Sequence, residues 1–337
     1  MSTTSKPRLD STTLGLFGII IGMTALTCWD QWNIWSTKND YTFGYLVPFF
    51  SAYVLYERWD DLYAFLTGEK TIIGNPTSRW FMAVVNFAAL FSILTFVAGG
   101  AVRAIYGTGV GPTIAISFGL VGTILSLGFI SAQGPDGSTP SNAVRWSVVG
   151  LLLFPACVWI ISGPFLYLVD NRIKGELLTN VTEFVSGILR LYGETIKVNG
   201  NTIEFANKDA VGIADACSGI RSLSACVFVG AFLGAVFIEG GFPGSLVRRV
   251  FLIMISGAVA IIVNIVRNTY LAFYALNHRS TSLDRDFWGV EMGAKDFSFL
   301  GTVHDFAGNL SMLIAFVLLL ACVPLVNRIG RSSTPAE

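Results

Sequence analysis

A cysteine, an arginine and a histidine occur in this chain where chemistry is possible. Cys217 lies in Ala-Asp-Ala-Cys-Ser-Gly-Ile-Arg (214–221), where a polar stretch runs into an apolar one. Arg267 falls near the end of the next apolar run, and His304 opens the last one. A thiol becomes nucleophilic when a cation or a helix N-terminus stabilises its thiolate. Arg221, one turn beyond Cys217, is such a cation, and a place for Cys217 in the first turn of its helix would add free backbone N–H groups. Acyl transfer by a thiol needs a nucleophile, a group that moves its proton, and donors for the oxyanion. Cys217, His304 and Arg267 can fill those roles. Ser218 and Gly219 keep the surroundings of the thiol small, which lets a peptide approach. Asn264, three residues before Arg267, shares its helix face and could orient it.

Each of these residues also has a plainer explanation. A cysteine in a membrane helix is usually a small apolar filler, and Cys28, Cys157, Cys226 and Cys322 read that way. Arg267 inside a span costs several kcal/mol unless it is paired or solvated, but snorkelling to the interface would also satisfy it. His304 could cap a helix, Arg221 could be an anchor paired with Asp215 or Asp305, and Asn264 could make an ordinary interhelical hydrogen bond. With only His278 and His304 in the chain, the acid–base options are few.

The elements that must hold these residues are membrane helices. Of 337 residues, 53% are hydrophobic and 13% charged, and mean hydropathy is +0.62. That is too continuous an apolar content for a soluble domain. Zero net charge and no long basic run give no footprint for nucleic acid. The scattered cysteines form no CxxC pair and no zinc spacing, so neither a disulfide framework nor a metal or other cofactor is expected. Lys6 and Arg8 precede the first apolar run without a small-residue cleavage site, the pattern of a retained anchor. About eight segments approach the roughly 20 apolar residues of a spanning helix: 12–29, 43–57, 80–102, 112–132, 146–169, 217–238, 250–273 and 304–326.

Lys and Arg of short loops tend to stay cytoplasmic. Lys6/Arg8, Arg58/Lys70/Arg79, Arg145, Arg248/Arg249 and Arg328/Arg331 then share the inner side of a plasma membrane, and Cys217, Arg267 and His304 approach the outer face. Trp29, Trp32 and Trp35 suit an interfacial belt. Between the spans, 170–216 opens with Leu177, Val181, Phe184, Ile188 and Leu191, spaced as one face of an amphipathic helix. Thr-Ile-Lys-Val (195–198) and Thr-Ile-Glu-Phe (202–205) flank Asn199-Gly200, a hairpin-turn signal. The expected fold is therefore an all-α polytopic membrane protein with a small extracytoplasmic amphipathic helix and β-hairpin. It divides into a tail (1–11), N-terminal membrane helices (12–169), the extracytoplasmic segment (170–216), membrane helices bearing the three reactive residues (217–326) and a second tail (327–337).

Ala-Cys-Ser-Gly-Ile-Arg-Ser-Leu (216–223), Asn-Ile-Val-Arg (264–267) and His-Asp-Phe-Ala-Gly (304–308) together resemble the exosortase/archaeosortase membrane transpeptidases in order and spacing. Upstream, Tyr41-Thr-Phe-Gly-Tyr-Leu-Val-Pro48 is similar to an early stretch of that family, with Phe43 in place of its usual His. The resemblance covers most of 30–326 and is most specific over 190–310. It implies Cys217 as nucleophile, Arg267 as catalytic arginine and His304 as the third member of the site. Its implied partners are exported proteins with a C-terminal sorting signal, made of a short motif, a transmembrane helix and a basic tail, together with an amine acceptor or water. The contrasting possibility is a non-catalytic membrane protein, such as a transporter or an assembly factor. Transport predicts polar residues near mid-bilayer on several helices, whereas here they gather at one rim.

Overall fold

The computed structural model describes residues 9, 11–207, 209–212, 220–241 and 243–329. Most of both terminal tails lies outside these residues, as do Cys217, Ser218 and Gly219. The chain divides into two compact units, Met1–Leu168 with Ala231–Val250, and Val169–Gly230 with Phe251–Glu337.

Among the described residues, six helices are long and apolar enough to cross a bilayer: α1 (Ser11–Thr37), α4 (Arg79–Tyr106), α5 (Val110–Ser131), α6 (Asn142–Ile161), α9 (Leu246–His278) and α10 (Val303–Arg328). This is a polytopic, mostly helical protein, and the other two expected spans are not among these six. The 43–57 run divides into a 3₁₀ segment (Asn39–Leu46) and the 11-residue α2 (Val47–Glu57). At about 1.5 Å per residue, α2 reaches only about half of a roughly 30 Å hydrocarbon core. Within the 217–238 run, the described residues form the 18-residue α8 (Ile220–Phe237). The 146–169 run breaks after Ile161, and a new helix, α7 (Pro164–Leu191), starts on a proline, which suits a first helical turn and disrupts an interior. The short α3 (Trp59–Leu66) follows α2.

In the first unit, glycines set how closely α4 and α5 approach. A Cβ added at Gly119 would lie 2.6 Å from the Phe96 nitrogen, and one at Gly99 would lie 2.9 Å from the Ile116 nitrogen. Polar side chains then join the helices, as expected where lipid offers no partners. Gln31 of α1 donates to Ser117 Oγ of α5 and to the Trp159 carbonyl of α6, at 2.9 and 2.7 Å. Arg103 of α4 pairs with buried Asp30 of α1 and lies over the Trp29 ring. Trp35, expected in the belt, is instead 1% exposed and donates to the Ser162 carbonyl. Trp29 and Trp32 remain exposed. Gly44, within the Tyr41–Pro48 stretch, lies against Trp35, and a Cβ there would come within 2.1 Å of its Nε1.

Pro155 inside α6 has no N–H to offer the carbonyl four residues back, Leu151. Arg58 fills the gap: its Nη1 donates to the Leu151 carbonyl at 2.8 Å, and its Nη2 donates to Ala235 at 2.6 Å. An unsatisfied buried carbonyl costs about 1–3 kcal/mol, so Arg58→Leu is expected to destabilise the protein by about that amount for each carbonyl exposed. Adding Pro155→Ala restores an N–H for Leu151 and should recover part of the loss. Thermal unfolding in detergent of the two single variants and the double variant measures this coupling, and strict additivity would contradict it.

The second unit builds around α9. A three-stranded antiparallel sheet, β1 (Ile196–Asn199), β2 (Thr202–Phe205) and β3 (Ala210–Gly212), runs in the order β1-β2-β3. Asn199 pairs with Thr202, so the two-residue loop is Gly200-Asn201. Gly200 takes φ 58°, a conformation that favours glycine. The expected hairpin is present with a third strand added. Buried Ile203, Phe205 and Val211 face Leu178, Val181, Val185 and Leu189 of α7, together with Ala272 and Ala275 of α9. The buried face of α7 is therefore offset from the expected one: Val181 belongs to both, but Phe184 and Leu191 are exposed. The Ser280 N–H and hydroxyl both donate to Asp209, at 2.6 Å each, linking the segment before β3 to the α9–α10 loop. These bonds hold the Asp209 carboxyl below the usual carboxylate range.

Candidate active site

Arg267 and His304 meet across α9 and α10, with Arg267 Nη2 3.0 Å from His304 Nε2. Two neighbouring contacts fix their register. One turn beyond Arg267, Leu271 packs with Val303 and Ala307 of α10. Gly308 lies one turn beyond His304, and a Cβ there would come within 3.3 Å of Arg267 Nη2. A guanidinium has only donors, so in this contact Nε2 accepts and the neutral ring carries its proton on Nδ1. The arginine thus orients the imidazole and selects its tautomer.

The first turn of α10 explains how His304 is presented. Thr302 is the N-cap: its hydroxyl accepts from the Asp305 N–H, while Asp305 Oδ2 accepts from the Thr302 N–H, both at 3.1 Å. This reciprocal capping box satisfies the helix end. The cap therefore belongs to Thr302 and Asp305, and His304 projects beside it toward Arg267. Asp305 Oδ2 also accepts from the Thr302 hydroxyl at 2.8 Å, so this exposed carboxylate acts in helix termination.

The other sequence-selected residues occupy the same unit. Asn264 is buried on α9, and its carbonyl accepts from Asn268 Nδ2 at 2.9 Å. Arg221 is exposed in the first turn of α8. Gly230 of α8 closely approaches Ser256 of α9, where a Cβ would lie 2.4 Å from the Ser256 hydroxyl. Small residues thereby bring the helix that follows the cysteine segment against the arginine helix. Among the described residues, no group of three or more His, Cys, Asp or Glu could hold a metal ion.

Gly308 is the residue that motif reading passes over. It closes His-Asp-Phe-Ala-Gly, and its place four residues after His304 puts both on one helix face. Gly308→Leu would occupy space beside the guanidinium and separate it from His304. If the pair acts in catalysis, a displacement of about 1 Å can cost about 10²-fold in rate, and that loss is expected with the melting temperature little changed. Gly308→Ala asks for a shift of only tenths of an ångström and should lose much less. Initial rates and thermal melts of both variants test this, and full activity in Gly308→Leu would contradict it.

The fold and this geometry define a multi-pass membrane protein with an Arg–His pair joining two of its candidate spanning helices. Residues 35–321 match the transmembrane exosortase (Exosortase_EpsH) family, and the chain belongs to that family. Neither the curated proteins nor the solved structures contain a match to it.

Proposed function

We propose that this protein is a membrane cysteine transpeptidase or protease that cleaves C-terminal sorting signals of exported proteins through a Cys217 acyl-enzyme. The 3.0 Å contact between Arg267 and His304 in an exosortase-family chain carries the reading. These are the two residue types a thiol needs beside it, one to place N–H donors and one to move a proton.

In this scheme His304 Nε2 turns from Arg267 to take the Cys217 proton, and the thiolate attacks the scissile carbonyl carbon, forming a C–S bond. Arg267 stabilises the charge that develops on the carbonyl oxygen. The C–N bond then breaks, the departing amine takes the proton from His304, and a thioester remains on Cys217. An amine acceptor or water gives a proton to His304 as it attacks the thioester, the C–S bond breaks, and the thiolate returns and recovers the proton from His304. The active site belongs at the outer face of the plasma membrane, where a signal motif emerges ahead of its transmembrane helix. Arg221, Ser218 and Gly219 then frame the thiol, while Asn264 and Asp305 support the helices that carry its partners.

The test uses full-length protein in liposomes with a signal-bearing substrate, quenched by acid and analysed by mass spectrometry. A substrate fragment linked to the peptide containing Cys217 is expected, lost on hydroxylamine treatment and missing in Cys217→Ala. Normal processing by both Cys217→Ala and Cys217→Ser would remove the nucleophile. Added amines that divert product from the free acid would identify transfer rather than hydrolysis.

A further inference from the structure

The segment between α9 and α10 folds around one buried carboxylate. Asp286 is 1% exposed. Its Oδ1 accepts the N–H groups of Trp288 and Val290 at 3.0 and 2.7 Å, and its Oδ2 accepts that of Ser298 at 3.1 Å. Burying a carboxylate is costly unless hydrogen bonds replace its water, and here three backbone donors do so. The geometric result is non-local: residues 288 and 298, ten apart in sequence, are tied to the same side chain. The strand-like bridge between Arg285 and Glu291 and their 2.9 Å ion pair fix the loop further.

This ordered loop turns its large apolar side chains outward. Trp288 is 83% exposed, Met292 76% and Phe299 96%, and Leu300 is also exposed. Trp288 and Phe299 flank the two ends drawn together by Asp286. The loop is also tied to the helix bearing His304, because the Val303 N–H donates to the Arg285 carbonyl at 2.8 Å. In addition, Phe287 packs edge-on against Phe306 with ring centroids 4.6 Å apart. Large apolar side chains held outward on ordered backbone are the kind of surface that meets a membrane or a partner.

We infer that residues 287–300 form an interfacial anchor, in which Trp288 and Phe299 enter the lipid headgroup region while Lys295 remains in water. The loop joins two candidate spanning helices, so both its ends arise at a bilayer surface. Beyond the loop, α10 carries exposed Leu310, Leu313 and Val317, as a candidate spanning helix in contact with lipid would. Trp is enriched at that boundary because its ring is apolar while its N–H still hydrogen-bonds. Through Arg285 and Phe287, the bilayer surface becomes a reference for the first turn of α10.

The experiment places benzoylphenylalanine singly at position 288, 299 or 295 of the full-length protein in phosphatidylcholine liposomes, with irradiation followed by mass spectrometry. Phospholipid adducts at positions 288 and 299 are expected several-fold above those at 295. Equal yields at all three positions would overturn the anchor. So would adducts at 288 and 299 that go to a co-reconstituted signal-bearing peptide or to a second copy of the chain. Adding Asp286→Ala tests presentation by the carboxylate: lipid adducts at 288 and 299 should fall toward the 295 level, and unchanged yields would overturn that role.

Discussion

Arg267→Lys is expected to cut signal processing by about 10²–10³-fold, the scale of losing one well-placed oxyanion donor, while the protein stays folded. The substitution keeps a positive charge but loses the planar fork. In the structure Nη2 is engaged by His304 at 3.0 Å, and in the proposed reaction the same rigid planar group also faces the substrate oxygen. A lysine ammonium on a flexible stem cannot hold both positions at once. The loss should fall mainly on kcat, because the interaction strengthens as negative charge develops on the carbonyl oxygen. Arg267→Gln, without the charge, should be weaker still, and methylguanidinium added to Arg267→Ala should restore part of the rate. Wild-type kcat in Arg267→Lys would show that charge alone suffices and would remove the arginine from oxyanion stabilisation.

His304→Gln is expected to lose about 10²–10⁴-fold, the usual contribution of a positioned acid–base group. Glutamine can still accept from Arg267 through its side-chain oxygen, so the helix contact has a substitute and the change isolates proton transfer. The chemical signature is the leaving group. Expulsion of an amine requires a proton, whereas a thiolate of low basicity leaves without one. A thioester version of the scissile bond should therefore restore much of the rate in His304→Gln and do little for Arg267→Lys. Equal losses on amide and thioester substrates would remove His304 from protonating the leaving amine.

These two outcomes are separable because the structure gives Arg267 and His304 different constraints. Snorkelling and burial are alternative answers to a charge in a span, and no local pattern around Arg267 chooses between them. His304 does so by lying 37 residues away in sequence and on the neighbouring helix. The capping alternative for His304 is answered locally, in the first turn of α10. The Thr302–Asp305 box excludes it by filling that role itself.

Much of the architecture was legible in local patterns. Long apolar runs identify membrane helices because each helix must satisfy its own backbone in lipid. Alternation around Asn199-Gly200 identifies a hairpin because successive strand side chains alternate faces. The third strand carries no such signal: Ala210-Val211-Gly212 is too short to alternate visibly, and pairing with β2 creates it. The span count was less legible, since hydropathy does not show that residues 39–46 adopt a 3₁₀ conformation or that Pro164 starts a separate helix.

By itself, the sequence determined the membrane character, the hairpin turn and the order of the three motifs, all expressed in local composition and spacing. Tertiary packing settles which stripe of α7 is buried, why Trp35 is enclosed, how Gly308 makes room for Arg267 and what Asp286 organises. Those choices depend on partners distant in the chain: the Gln31–Trp159 bond spans 128 residues, and the α7 face is selected by the sheet and α9. Periodicity shows that a helix has an apolar side, but a helix with two adjacent apolar stripes buries whichever one its neighbours can cover.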